Sequence, residues 1–191
     1  MSMMGCLISI VLYIAASVVI FRVILRRFYR THSRLTGLAA ACQSLVFFSW
    51  GALTWANLPP AWPSNPIAPC QRVVGWLLLT AGLAAMVGMI LWFGLARASG
   101  LRVNRLVQCG PYRVSRNPQL IACIAAVIGY TILWLSWCSV AWLVALIVAS
   151  HAMVLTEEEH LGRIFGREYD HYRDRVPRYI GLLPKRVQPA G

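Results

Sequence analysis

The chain has 191 residues, of which 59 % are hydrophobic and 13 % charged, and its formal net charge at pH 7 is +12. A soluble domain of this composition would expose a mostly apolar surface, so the composition excludes an ordinary water-soluble protein. The positive charge does not indicate nucleic acid, because the basic residues lie between apolar runs instead of forming one stripe. We therefore expect an all-α, polytopic membrane protein.

Five apolar stretches are each long enough to cross a hydrocarbon core of about 30 Å. They are residues 5–21, 37–58, 73–95, 118–135 and 138–155. No repeat or long linker interrupts them, so we expect one integral membrane domain over residues 1–191. Within it, the pattern predicts three transmembrane helices in 1–95, a cytosolic loop in 96–117, a helical hairpin in 118–155, and a cytosolic helix with a tail in 156–191.

The basic residues predict the orientation. All of them except Arg72 fall on one side of the five stretches, so the positive-inside rule places the N-terminus outside and the C-terminus in the cytosol. The first stretch has no basic leading segment and is followed by an arginine cluster, which favours a retained span over a cleaved signal peptide. In this topology Cys6, Cys70 and Cys138 lie near the outer face, where one disulfide is allowed but not required.

All six acidic residues lie between Glu157 and Asp174. Charge beside lipid is costly, so the consecutive Glu157, Glu158 and Glu159 need cations, caps or a ligand. The last two apolar stretches are separated by a few residues and must form a tight antiparallel hairpin. That hairpin brings the loop before Pro118 and the three carboxylates to the same membrane face, where the pattern predicts a cytosolic pocket.

The start of the fourth stretch has the features of an anion site. Asn117 is a good N-cap and Pro118 suits the first helical position. Arg113 and Arg116 lie just upstream, so free amides and guanidinium groups could bind a carboxylate or phosphate together. Contact of both arginines with lipid headgroups is the alternative.

The carboxylates differ in their expected roles. Thr156 and Glu159 have the spacing of a capping box, which predicts a helix start at Thr156 and a structural role for Glu159. Glu157 and Glu158 could bind an ammonium group, ribose hydroxyls or a sulfonium cation, or could be solvated surface charges. His151 is either an interhelical hydrogen-bond partner or a substrate contact.

Apolar and aromatic residues then recur at helical spacing until Pro177, with arginines on the other sides. This stripe predicts an amphipathic C-terminal helix on the cytosolic face. Its members are Leu161, Phe165, Tyr169, Tyr172 and Val176.

Two segments resemble one family. NRLVQCGPYRVSRNPQL is similar to the HxLVxxGPYxxxRHPxY pattern of the isoprenylcysteine carboxyl methyltransferases, which resemble membrane phospholipid methyltransferases. EEEHLGRIFGREYDHYRDRVPRYIGLLP is similar to the EExxLxxxFGxxYxxYxxxVPR ending of that family. Two motifs separated by a predicted hairpin are a stronger signal than either alone.

The resemblance implies transfer of a methyl group from S-adenosylmethionine. The cofactor-binding residues that it implies are Asn104, Leu106, Val107, Tyr112, Asn117, Pro118, Gln119, Leu120 and Glu157. Arg116 and Glu158 are the candidate catalytic residues, and His151 and Met153 the candidate substrate contacts. No metal ion is expected.

The sequence departs from the family pattern at several positions. Asn104 and Asn117 replace histidines and keep a hydrogen-bonding edge, whereas Leu120 replaces a tyrosine and loses its hydroxyl. Met153 stands where animal enzymes carry an arginine for the substrate carboxylate, which weakens the case for a prenylcysteine acceptor. A carboxylate acceptor requires no base, but an amine or thiol does, and His151 and Glu158 are the candidates for that base.

We therefore expect methyl transfer to a lipophilic acceptor dissolved in the membrane, with an isoprenylcysteine-like carboxylate as the acceptor that the family implies. A phospholipid amine or another lipid or thiol acceptor is the alternative. A sterol-reductase-like oxidoreductase and a non-catalytic membrane scaffold are alternatives of other classes. The expected partners are membrane lipids and the lipophilic substrate, and not nucleic acid.

Overall fold

The computed structural model describes residues 3–31, 37–57, 68–93 and 106–181. The regular elements in these ranges are all helical. They are α1 (Met3–Val19), a π-helical stretch (Ile20–Leu25), α2 (Arg26–Thr31), α3 (Gly37–Asn57), α4 (Pro69–Phe93), a 3-10 turn (Gly110–Arg113), α5 (Pro118–Leu133), α6 (Trp137–Phe165) and α7 (Arg167–Arg175). Asn104 lies outside the described residues.

Three helical stretches in the described ranges are long and apolar enough to cross a membrane. They are Met3–Thr31, Pro69–Trp92 and Trp137–Phe165. The helix Pro118–Leu133 is apolar but shorter. The molecule is thus all-helical with three candidate spans, as fits a membrane protein, and helices occupy all five of the predicted apolar stretches.

Helices α1 and α6 pack side by side, and they run parallel because Cys6 meets Cys138 near one end and Arg22, just after α1, meets Glu159 near the other. Their first turns are joined by a disulfide between Cys6 and Cys138, one of the pairings that the sequence allows. The aromatic rings of Tyr13 and Trp142 meet in the core between them, with centroids 5.6 Å apart. Trp50 of α3 donates from its Nε1 to the Trp142 carbonyl at 2.9 Å, which attaches α3 to the same core.

Helices α4 and α5 form an antiparallel pair in close contact. A Cβ at Gly82 would lie 2.6 Å from both the carbonyl oxygen of Ala122 and the amide nitrogen of Ala126. A Cβ at Gly129 would collide with the backbone of Leu79. The backbones can approach this closely because side chains are missing at the contact points.

A short turn joins the helices of the fourth and fifth stretches. Helix α5 ends at Leu133 and α6 begins at Trp137. Ser136 caps α6, because its hydroxyl accepts from the Ser139 amide and the Ser139 hydroxyl accepts from the Ser136 amide. This reciprocal capping starts α6 immediately after the turn.

The predicted helix start at Thr156 is wrong. Helix α6 continues through this residue to Phe165 and is capped by Gly166, whose φ of 48° few other residues adopt. The Thr156 hydroxyl is buried and donates to the carbonyls of Ala152 (2.9 Å) and Phe21 (3.1 Å). The capping-box spacing of Thr156 and Glu159 is thus overridden by a tertiary contact with the π-helical stretch. The helix that follows α6 is the short α7.

Candidate functional site

The three consecutive carboxylates lie on α6 near its C-terminal end. Successive residues of an α-helix point about 100° apart, so Glu157, Glu158 and Glu159 face different parts of the chain. Each has its own partners, which give the three side chains different electrostatic environments.

Glu159 joins α6 to the start of α2 and the π-helical stretch. Its carboxylate accepts from Arg22 Nη1 at 2.9 Å and from Arg26 Nε at 2.7 Å. Arg163, one turn further along α6, is 3.8 Å away. Glu159 is therefore tied to structural cations, and the expectation that it caps a helix is wrong.

Glu158 is held by two arginines from different segments. Arg116 Nη1 is 2.9 Å from one carboxylate oxygen, and Arg178 Nη2 is 2.6 Å from the other. The Arg116 and Glu158 side chains are only 6 % and 12 % exposed. The hydrogen bond to Glu158 raises the pKa of the Arg178 guanidinium above its ordinary value. The two residues predicted to be catalytic are thus ion-paired to each other.

The segment after α7 passes over the loop that precedes α5. We call residues 177–179 the C-terminal strap. The Arg116 amide donates to the Pro177 carbonyl at 2.9 Å. The Arg178 carbonyl accepts from the Ser115 hydroxyl at 3.1 Å and from Asn117 Nδ2 at 3.0 Å. Both family-like motifs are therefore joined by hydrogen bonds as well as by the ion pair.

Helix α5 begins where the sequence predicts, but its predicted capping hydrogen bond is not formed. Asn117 occupies the N-cap and Pro118 the first turn, yet the Asn117 side chain makes no capping hydrogen bond, because it donates to the strap. Leu120 and Pro118 are buried, and the Gln119 Nε2 donor is buried without a hydrogen-bond partner among the described residues. Arg116 Nε is in the same situation. The site thus contains two unsatisfied donors, which favour an anionic or carbonyl ligand.

The predicted apolar stripe forms a packing face against the loop. Its buried members contact partly buried residues of the loop and α6, and the cluster comprises Leu106, Leu161, Phe165, Tyr169, Tyr172 and Val176. The Tyr172 hydroxyl donates to the Tyr112 carbonyl at 2.8 Å, and Arg116 Nη1 donates to the Tyr169 hydroxyl at 3.2 Å. Burial raises the pKa of Tyr112 to about 12 and that of Tyr169 to about 12, so both phenols stay neutral. Val107 is half-buried in the same loop.

Glu157 has a neutral partner. Gln43 of α3 donates from its Nε2 to Glu157 Oε1 at 3.1 Å, and the same nitrogen is 3.0 Å from Met153 Sδ. Within the described ranges, none of the ion pairs involves the half-buried Glu157. It is therefore a carboxylate suited to a cationic group or to hydroxyl donors.

His151 lies against the strap, and its partner is not on another helix. Its Nδ1 is 2.8 Å from the Tyr179 hydroxyl, and the His151 side chain is exposed. The prediction left open whether His151 is an interhelical partner or a substrate contact. Arg178 and Tyr179 were not assigned from the sequence, although both lie within the second motif. Gln43 was also missed, and the signal for it is an isolated amide inside an apolar stretch.

The buried donors and the available carboxylate fit a zwitterionic ligand. Gln119 and Arg116 offer donors at the start of α5, and Glu157 offers an acceptor on α6. An amino-acid moiety carries both a carboxylate and an ammonium group and matches this set. Across the described part of the chain, no group of three or more His, Cys, Asp or Glu side chains could hold a metal ion.

A family model described as phospholipid methyltransferase matches residues 71–168, just over half of the chain. The protein therefore belongs to this family of membrane methyltransferases, and the resemblance seen in the two motifs is confirmed at that level. Membership implies S-adenosylmethionine as the methyl donor. No curated protein and no solved structure matches the chain significantly.

Proposed function

We propose that the protein transfers a methyl group from S-adenosylmethionine to a lipophilic acceptor dissolved in the membrane. The observation that carries the proposal is the junction of the two motifs at Arg116 and Glu158, 2.9 Å apart at one end of the α5–α6 hairpin. This junction adjoins apolar helices, and both of its residues lie within the chain segment that matches a methyltransferase family. A cofactor from water and an acceptor from lipid could meet there.

The residues around this junction would hold the cofactor. Gln119 and the first amides of α5 would bind its carboxylate, and Glu157 would accept from its ammonium group or ribose hydroxyls. Tyr112 and Leu106, with Val107, would border the nucleoside, and Asn104 is a further candidate from the sequence. S-adenosylmethionine supplies a methyl group that its sulfonium centre already activates toward nucleophiles.

The protein would contribute position and exclusion of water more than side-chain chemistry. Glu158 and Arg116, proposed as catalytic residues, would act by fixing the loop and the strap around the reacting groups. The aromatic cluster of Tyr169 and Tyr172 would cover the cytosolic side. The ion pair therefore has a positioning role in this mechanism, because neither charged group is free.

The acceptor would reach the site from the lipid. An isoprenylcysteine-like carboxylate and a phospholipid amine are both consistent with the family, and Met153 offers no charge that would favour the carboxylate. We further propose five spans with the N-terminus outside and the C-terminus in the cytosol. The parallel packing of α1 with α6 supports this topology, since the first and fifth spans must run in the same direction.

Ligand-induced stabilisation tests the proposal. A ligand that binds only the folded state raises the melting temperature, so we expect a rise with S-adenosylmethionine and with its demethylated product. Reduced nicotinamide dinucleotide serves as the control for the oxidoreductase alternative and should cause no shift. Binding of the dinucleotide alone would contradict the methyltransferase proposal, and binding of neither ligand would favour a non-catalytic scaffold.

A further inference from the structure

The C-terminal strap continues from the ion pair to a second polar contact on the same helix face. His151 and Glu158 have i and i+7 spacing, so they share one face of α6 at an axial separation of about 10 Å. Arg178 of the strap binds Glu158, and the adjacent Tyr179 binds His151 at 2.8 Å. His151, an ionisable residue of an apolar helix, is thus linked through the strap to the proposed site, and ionisable residues within such helices usually serve a function.

The groups around this face differ in their ability to accept a proton. Glu158 is ion-paired with both Arg116 and Arg178, so protonating it would disrupt two ion pairs. Burial raises the pKa of Tyr179 above its ordinary value, and its phenol therefore stays protonated. His151 is exposed, and imidazole is the side chain best suited to exchange a proton near neutral pH.

We propose that His151 accepts the proton of the acceptor nucleophile and that Tyr179 orients its ring. In the tautomer with a proton on Nδ1, His151 donates to the Tyr179 oxygen and presents the Nε2 lone pair to the substrate. Among the described residues no hydrogen-bond partner reaches Nε2. The inference rests on the proposed methyl transfer. It specifies that the methyl acceptor is a group that must lose a proton, such as an ammonium group or a thiol.

The proton and electron balance is complete for an ammonium acceptor. The ammonium gives one proton to Nε2 of His151, and the resulting amine lone pair attacks the methyl carbon. The new C–N bond forms as the C–S bond breaks, and the sulfonium becomes a neutral thioether. The product is a methylated ammonium, and the imidazolium releases its proton to water.

Methyl transfer in nanodiscs tests the role of His151. We would follow transfer from radiolabelled S-adenosylmethionine to phosphatidylethanolamine, to a long-chain alkyl thiol and to a prenylcysteine carboxylate, each in phosphatidylcholine nanodiscs. Water-soluble ethanolamine would distinguish a lipid amine from a free one. His151→Gln should lower kcat for the amine or thiol about 100-fold at pH 7, with the dissociation constant of S-adenosylmethionine unchanged. Tyr179→Phe should lower it about tenfold, and His171→Gln, at an exposed histidine of α7, should have no effect.

The pH profile separates proton transfer from a structural role. Because the acceptor loses its proton unaided at high pH, the defect of His151→Gln should shrink at least tenfold between pH 7 and pH 9.5. An equal defect at both pH values would make the pair a structural contact and overturn the inference. Wild-type protein that binds the cofactor but methylates only the carboxylate would also overturn it, while leaving the methyltransferase proposal intact. Wild-type protein that binds no S-adenosylmethionine would contradict both.

Discussion

Three identical side chains in a row have three different roles because the helix directs them to different partners. Glu159 meets arginines at about one-third exposure, whereas Glu158, whose side chain is 12 % exposed, meets the buried Arg116 and the more exposed Arg178. Glu157 meets only an amide among the described residues. The partner, more than the residue type, therefore decides which carboxylate stabilises the fold and which is available to a ligand.

Charge removal at Glu157 and Glu159 should separate ligand binding from stability. Glu157→Gln keeps the shape but loses charge-assisted hydrogen bonds of roughly 1.5–3 kcal/mol, so affinity for S-adenosylmethionine should fall about tenfold or more. Glu159→Gln should cost about 1 kcal/mol of stability and leave the affinity nearly unchanged, because its partners are structural arginines. Calorimetric dissociation constants and melting temperatures, measured in one detergent, provide both comparisons. The reverse pattern would mean that the roles of the two carboxylates are exchanged.

Removal of the Glu158 carboxylate should destabilise the fold strongly. Glu158→Ala leaves the 6 % exposed Arg116 side chain without its counter-charge, and breaking such a pair costs on the order of 3 kcal/mol. Glu168→Ala is the matched control, because Glu168 is exposed and its side-chain contact among the described residues is a hydrogen bond from Gln108 at 3.3 Å. Chemical unfolding of both variants should therefore show a much larger loss for Glu158→Ala. Equal losses would indicate that the ion pair is solvated and contributes little.

The sequence located residue-scale features where the chemical reason was local. The carboxylate cluster and the start of α5 could be located because unpaired charge and proline have strong positional preferences. The Asn117 cap failed because the strap, distant in sequence, takes its side-chain amide. Gln43 was missed although its amide is isolated in an apolar stretch, because the sequence does not show which face of α3 meets α6.

At the scale of elements, glycine positions decide how closely α4 and α5 approach. Gly129→Ala should separate the two helices, since the new methyl group would collide with the backbone at Leu79 and Gly75. Gly88→Ala is the control within α4, because nothing lies within 4 Å of its Cβ position. Gly88→Ala should therefore stabilise the helix by about 1 kcal/mol through the higher helix propensity of alanine, because no steric clash offsets this gain. A fall in melting temperature is thus expected for Gly129→Ala only, and equal shifts would contradict this packing.

The helices of the five apolar stretches were predictable from the length of the apolar runs, but the end of α6 was not. The hydrophobic pattern located α3, α4 and α5 to within a few residues. The same pattern ended the fifth span at residue 155, whereas α6 continues to Phe165. Hydropathy identifies the part of a helix that prefers lipid. It gives no signal for a polar extension of the same helix.

At the scale of the whole molecule, α1 and α6 are connected at both ends by different chemistry. A disulfide joins Cys6 to Cys138 at one end, and Glu159 binds Arg22 and Arg26 at the other. Disulfides persist in oxidising compartments, and arginines concentrate on the cytosolic side. The disulfide assigns the same orientation to the pair as the arginines do, and the disulfide alone is independent of the charge count.

Two native cysteines allow this orientation to be measured without new residues. Cys70 and Cys109 are both exposed free thiols, one at the start of α4 and the other in the loop before α5. If α4 crosses the membrane from outside to inside, a membrane-impermeant maleimide added to intact cells should label Cys70 and leave Cys109 unlabelled. After permeabilisation both should react, and Cys70→Ser and Cys109→Ser assign each signal. Labelling of both thiols in intact cells, or of Cys109 alone, would contradict the five-span arrangement with a cytosolic site.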